Sequence, residues 1–282
     1  MLNKAKASDF AGRFREIVAD PLNLLIARHP KAGTVEDGYV ILHNGNKVPF
    51  SGDGAYYDSF SDILIYNRGV HEPLEEFAFQ EMLHVLPHNA VMLELGAYWA
   101  HYSMWLKLVH PAAQIHMIEP DPMNAAAGMA NMALNGLEGD YSQGLVGNDA
   151  VTLDGWMAEK GYDWLDVLHV DIQGAEDELL AGATQALAHQ KIGYVLISTH
   201  SQTLHELVSD QLKTAGYRIE LSADFDHETT SFDGFILALH PKQAPLYDGP
   251  APMGRKELAN AKVTSKLKHI AAVAAGRVNL DT

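Results

Sequence analysis

Four short apolar runs in the middle of this chain each end in residues of types that do chemistry. The first ends in Glu94-Leu95-Gly96-Ala97-Tyr98-Trp99-Ala100, and the second in Glu119-Pro120-Asp121-Pro122. Further on, Val170 leads into Asp171-Ile172-Gln173-Gly174-Ala175-Glu176, and Ser198 into Thr199-His200-Ser201. Gly96 lacks a Cβ, so a ligand or a neighbouring backbone can approach it closely; a tight turn would use it equally well. Glu119 lies about twenty-five residues beyond the start of the first motif. A carboxylate at that spacing, closing a second strand, can accept from both ribose hydroxyls of an adenosine-containing cofactor. Asp171 can orient a polar partner, cap the next helix, or both. His200 is suited to taking a proton near neutral pH, or to ligating a metal together with Asp171.

These residues need a scaffold that brings strand ends together. Strands are expected at Ala90–Leu95, Gln114–Ile118, Tyr141–Val146, Asp166–Val170 and Tyr194–Ser198. Helices are expected at Ala100–Val109, Met123–Leu134, Ala175–Ala188 and Thr203–Ala215, the second started by Asp121-Pro122. Tyr217–Leu221 and Phe232–Leu239 read as a closing antiparallel pair. Such alternation implies a largely parallel sheet with helices on both faces, where ligands bind at the carboxyl ends of the strands. Ahead of it, residues 1–30 read as one or two helices, with Phe10, Phe14, Ile17 and Val18 on one face and Asp20-Pro21 as punctuation. Residues 38–50 read as a hairpin turning at Asn44-Gly45, residues 52–73 as a shaped loop, and Glu75–Leu86 as a helix. The chain thus divides into 1–89, a lid and acceptor-recognition segment, 90–240, a cofactor-binding domain, and 241–282, a linker and tail helix over 255–276.

The stretches VMLELGAYWAHYSMWL (91–106), IHMIEPDPMNAAAGMANMALNG (115–136), VTLDGWM (151–157) and DVLHVDIQGAEDELLAGA (166–183) resemble the FkbM family of S-adenosylmethionine-dependent methyltransferases. The resemblance covers about 90–240, and its most specific part is HVDIQGAEDELLAGA. It implies a Rossmann-like class I methyltransferase of α/β class. The expected sheet is mostly parallel and seven-stranded with an antiparallel closing strand, preceded by the mixed α/β lid. It also implies methyl transfer to a hydroxyl of a sugar, glycan or natural-product-like small molecule. By position, Glu94 and Gly96 would contact the methionine end of the cofactor, Glu119 its ribose, and Asp171 the region of the reacting methyl. With Ala97, Tyr98 and Pro120 they form the expected cofactor-facing set. Two departures stand out. Ala100 replaces a second glycine behind the bulky Tyr98-Trp99 pair, and Gln173 replaces a frequent glutamate. His200 is the candidate base, with Asp171 as its orienter. Alternatively both ligate Mg2+ or Mn2+, which would lower the acceptor's pKa. In the lid, Tyr56, Tyr57, Tyr66 and His71 are candidate acceptor-facing residues.

Composition narrows the alternatives. The net charge is −16, which repels phosphate backbones and argues against a nucleic-acid substrate. Residues 241–282 carry seven Lys/Arg against three acidic residues, leaving −20 on the rest. Such a tail can dock on an acidic surface of its own chain or of a second subunit, which would make a homo-oligomer. The absence of cysteine excludes disulfides, thiolate metal sites and a cysteine nucleophile. There is no signal-like or membrane-spanning run, so a cytoplasmic protein is expected. Two other readings compete: an NAD-dependent oxidoreductase, disfavoured by the missing Gly-x-Gly-x-x-Gly, and a non-catalytic binding module on the same fold.

Overall fold

The computed structural model describes residues 10–52, 54–56, 61–145, 147, 151–225, 233–250, 253, 257 and 260–278. The chain opens with helix α1 (Phe10–Ala19), ended where Asp20 caps a short 3-10 turn at Pro21–Leu24 by accepting from the Leu22 amide. A small antiparallel sheet follows: β1 (Val35–Glu36), β2 (Tyr39–Ile41) and β3 (Lys47–Pro49). The turn joining β2 to β3 is the expected Asn44-Gly45, with Gly45 at φ 98°. The region read as loop contains a short helix, α2 (Asp62–Tyr66), and then α3 (Pro73–Leu83), buried along its whole length.

The strand–helix alternation comes next: β4 (Val91–Leu95), α4 (His101–Val109), β5 (Gln114–Glu119), α5 (Pro122–Leu134), β6 (Asp140–Gln143) and α6 (Leu153–Lys160). It continues with β7 (Leu165–Val170), α7 (Glu176–Ala181), α8 (Thr184–Ala188), β8 (Ile192–Thr199), α9 (Gln202–Thr214), β9 (Arg218–Ala223) and β10 (Gly234–Leu239). Capping chemistry explains the helix starts. Asp121 accepts from the Met123 and Asn124 amides, Thr152 from Gly155, and Ser201 from Leu204. The expected continuous helix over 175–188 is instead two. The break falls at Gly182, where the Asp154 carboxylate from α6 accepts the amides of Gln185 and Ala186, each at 2.8 Å. A tertiary contact supplies the cap that a local reading could not foresee.

The seven strands lie in the order β6-β5-β4-β7-β8-β10-β9, parallel except for β10, which runs antiparallel to both neighbours. This is an α/β, Rossmann-like sheet, mostly parallel and seven-stranded with one antiparallel strand. The order reverses at β4, with β5 on one side and β7 on the other, so the switch-point crevice opens beyond the ends of β4 and β7.

Alternate side chains divide the interior. Leu93, Leu95, Leu168, Val170, Val195 and Ile197 enter one core. Met92, Met117, Val167 and Leu196 enter the other, which is continuous with Ile17, Val40, Leu64 and Phe77 of the first 89 residues. The tail helix α10 (Val263–Ala275) buries Ile270 and Val273 in that second core. Beyond it, Arg277 forks onto both oxygens of Glu81 on α3, at 3.0 and 2.7 Å. The basic tail therefore meets an acidic partner on its own chain. Among the described residues, no helix is long and apolar enough to cross a membrane.

Candidate functional site

The loop after β4 is built on left-handed backbone: Gly96 has φ 75°, Tyr98 41° and Ala100 65°. Gly96 is obligatory here, because a Cβ would lie 1.8 Å from the Asp171 carbonyl oxygen. The loop is thereby pressed against the end of β7 across the switch point. Asp171 in turn donates its amide to Leu95 at 2.9 Å. Glu119 reaches over from β5. Its Oε2 accepts the Tyr98 amide at 3.1 Å, and its Oε1 accepts the Asp121 amide at 3.0 Å and the Asn124 side-chain amide at 3.3 Å. The carboxylate is only 5% exposed, yet its lone pairs exceed these three donors. Tyr98 is held from above: its hydroxyl donates to the Ala55 carbonyl, and its own carbonyl accepts from Tyr141. Ala97 is buried in the loop, and Pro120 is exposed beside Gln143, which donates to its carbonyl.

Asp171 and His200 end adjacent parallel strands, and their side chains meet. His200 Nε2 is 3.2 Å from Asp171 Oδ1 and 3.8 Å from Asp233, while Nδ1 is 2.6 Å from Glu176 Oε1. The Gln173 amide lies 3.1 Å from Asp171 and 2.9 Å from His200 Nε2. Both ring nitrogens thus face carboxylates, which favours the imidazolium. Burial opposes that charge, but the hydrogen bonds and charges of Asp171, Glu176 and Asp233 prevail and raise His200 to about 10. Although burial opposes its ionisation, Asp171 is held below its ordinary value by His200. A histidine in this state donates near neutral pH and does not accept.

Glu94 points away from the crevice, into the core face shared with α3. Its Oε2 accepts from the amide and hydroxyl of Ser103, and His169 Nδ1 lies 3.6 Å from its other oxygen. His169 Nε2 pairs with Glu75 on α3 at 2.6 Å, and Glu75 also accepts from Ser198 at 2.8 Å. Glu72, one turn earlier, accepts from Tyr102 at 3.2 Å. Desolvation raises both Glu72 and Glu75 to about 8, with repulsion from Glu75 and Asp171 adding to it at Glu72, and from Asp171 and Asp233 at Glu75. These two acids were not singled out from the sequence. The available signal for Glu75 was the PLEEFAFQEML segment, whose polar residues Glu75, Glu76, Gln80 and Glu81 alternate with apolar ones and share no single polar face.

Of the candidate acceptor-facing residues, the structure brings Tyr56 and His71 together, with ring centroids 4.7 Å apart, and leaves Tyr66 away from them. Tyr56 and His71 are buried beside Trp99, with ring centroids 5.0 Å from it in each case, so they line the loop from behind. Tyr66 is 70% exposed and meets Phe14 edge-on, while Tyr57 lies outside the described residues.

The sequence matches no known family model, and no curated protein matches it. Among solved structures, the chain is similar to TrmK of M. capricolum in complex with S-adenosylhomocysteine, at 14% identity over 59% of this chain and 69% of that one, with a TM-score of 0.42. It is similar to a SAM-dependent methyltransferase from Aquifex aeolicus at 14% identity, 59% and 89% coverage and a TM-score of 0.41. An O-methyltransferase from Bacillus cereus in complex with SAH gives 13% identity, 58% and 79% coverage and a TM-score of 0.41.

Proposed function

We propose that this chain is an S-adenosylmethionine-dependent O-methyltransferase acting on a hydroxyl of a sugar, glycan or natural-product-like small molecule. The observation that carries the reading is the Glu119 carboxylate, fixed at the end of β5 against the amide of the loop after β4 and beside the switch-point crevice. That is where an adenosine ribose would need paired acceptors. The charge of the surroundings supports a cationic cofactor. Burial, with the added charge of Asp171, raises Glu72 and Glu75 to about 8, so a positive sulfonium beside Asp171 would ease their ionisation. When bound, S-adenosylmethionine supplies a methyl group on a sulfonium, an electrophile that is already activated.

The protein's remaining tasks are to align an oxygen and to receive its proton. We assign the second task to Asp171. An alcohol oxygen becomes strongly acidic as it is alkylated, so even a carboxylate held below its ordinary pKa can take the proton late in the transfer. His200 acts as a positioning residue: its imidazolium, anchored by Glu176, keeps Asp171 charged and oriented. Mg2+ or Mn2+ at Asp171 and His200 fits less well, because the His200 proton already supplies the positive charge between Asp171, Glu176 and Asp233 and an ion would have to displace it. No step is routed through a metal.

The test begins with calorimetry of S-adenosylhomocysteine and NADH against wild type and Glu119→Ala. The homocysteine adduct is expected to bind wild type and NADH is not. The variant should lose on the order of 2–4 kcal/mol of cofactor affinity, the worth of two charge-assisted hydrogen bonds. Mass spectrometry of metabolites and glycans incubated with isotopically labelled S-adenosylmethionine then identifies the acceptor. No binding of the adduct at saturating concentration, or unchanged affinity in Glu119→Ala, would overturn the assignment.

A further inference from the structure

Behind the candidate cofactor loop lies a group of side chains that the proposed chemistry does not use. His43 follows β2, Glu76 lies on α3, and His101 is the first residue of α4. They are 1%, 0% and 1% exposed. Each offers one ligand atom, and these atoms all lie within 4.8 Å of one another. The two oxygens of Glu76 are treated differently. Its Oε1 is held by the amides of His71 and Glu72, at 2.8 and 3.1 Å, and lies 2.7 Å from the His71 ring. Its Oε2 has one neighbour of this kind, His43 Nε2, in an ion-pair contact at 2.9 Å. His101 makes no hydrogen bond at either ring nitrogen, although both are buried. An imidazole always carries at least one N–H, so leaving both nitrogens dry costs on the order of 1–3 kcal/mol for each orphaned group.

We propose that His43, Glu76 and His101 form a buried binding site for a divalent first-row transition ion, with zinc as the first candidate. Two imidazoles and one carboxylate oxygen form a set that zinc accepts, and tetrahedral coordination separates ligand atoms by about 3.3 Å. The observed cluster needs only small side-chain rotations to reach that spacing. The ion would lie between Glu76 Oε2 and His43 Nε2, replacing their direct contact, and would take one unpartnered nitrogen of His101. His71 takes the outer-shell role, steadying the ligating carboxylate from its far oxygen. Trp99 stacks on His101 at an interplanar angle of 13°, and Trp105 meets His43 edge-on, so aromatic rings wall the site, and its three protein ligands leave the fourth tetrahedral position to a water. Its consequence is mechanical. The ion would tie the hairpin, α3 and the start of α4 together, immediately after the left-handed Ala100 that ends the cofactor loop.

The experiment is elemental analysis of the untagged full-length chain, purified without chelator and dialysed, followed by titration of metal-free protein with Zn2+ and Co2+. About one ion per chain is expected, with a visible absorption from tetrahedral Co2+ that zinc abolishes. His71→Gln should weaken zinc by roughly 10–100-fold, as loss of an outer-shell partner does. His101→Gln and His43→Gln should weaken it further. Zinc should also raise the unfolding temperature of metal-free wild type, a readout independent of methyl transfer. If either variant folds poorly, the wild-type stoichiometry and the cobalt spectrum still decide the matter. Wild type that holds no ion after refolding with excess zinc, or His101→Gln that binds as tightly as wild type, would overturn the proposal.

Discussion

His200→Gln isolates a charge at the centre of the candidate site. Glutamine keeps a side-chain N–H for Glu176 but carries no charge, so the substitution leaves Asp171, Glu176 and Asp233 facing one another without a cation. The rise of His200 from 6.5 to about 10 corresponds to about 5 kcal/mol of preference for the charged ring in the folded state, at about 1.4 kcal/mol per pH unit. The side chain is only 13% exposed, so solvent screening removes little of this. The sign follows from linkage. A group whose folded pKa is raised stabilises fully below its unfolded pKa and ceases to as pH rises through the folded value. The variant should therefore be less stable than wild type by about 4–5 kcal/mol at pH 6, about 3 kcal/mol at pH 8, and under about 1 kcal/mol at pH 10. Urea unfolding of both proteins at these three pH values measures the gap. A gap below about 1 kcal/mol at pH 6, or one that stays constant to pH 10, would refute the imidazolium and restore His200 as a candidate base near neutrality.

Three further outcomes follow from the same geometry. Binding of S-adenosylmethionine near pH 7 should release protons, up to about one per chain, because a cation lowers the raised pKa values of Glu72 and Glu75. Calorimetry in two buffers of different ionisation enthalpy reads this directly, and equal heats would contradict it. Gly96→Ala combines a φ of 75° with a Cβ set against the Asp171 carbonyl. It should cost at least about 3 kcal/mol and abolish cofactor binding; a soluble variant with wild-type thermal stability would show that the loop does not meet β7 as described. Arg277→Ala should destabilise by about 3–5 kcal/mol, because it strands the buried Glu81 carboxylate, and a further Glu81→Met should recover part of the loss in a denaturant series.

Much of the architecture was legible in the amino-acid sequence, because short apolar runs between capping residues report local periodicity directly. Asp121, Thr152 and Ser201 start their helices through contacts two or three residues away, well within reach of a local reading. The strand-end positions of Gly96, Glu119, Asp171 and His200 followed from the same alternation, and so did the expectation that Asp171 and His200 would be neighbours. Periodicity says which way a side chain faces, but it does not say what lies opposite. Only the tertiary structure decided that Glu176 would occupy the second nitrogen of His200 and so fix its charge. The same holds for Asp154 splitting the helix after β7, and for Arg277 closing on Glu81 of its own chain. Glu94 shows the contrast most clearly. The resemblance implies that it contacts the cofactor, and only the structure shows that its carboxylate accepts from Ser103 and lies beside His169. The buried group of His43, Glu76 and His101 joins a hairpin, a helix and the start of another across the fold. No local spacing encodes that group, because the distances within it are set by how the hairpin, α3 and the start of α4 pack together.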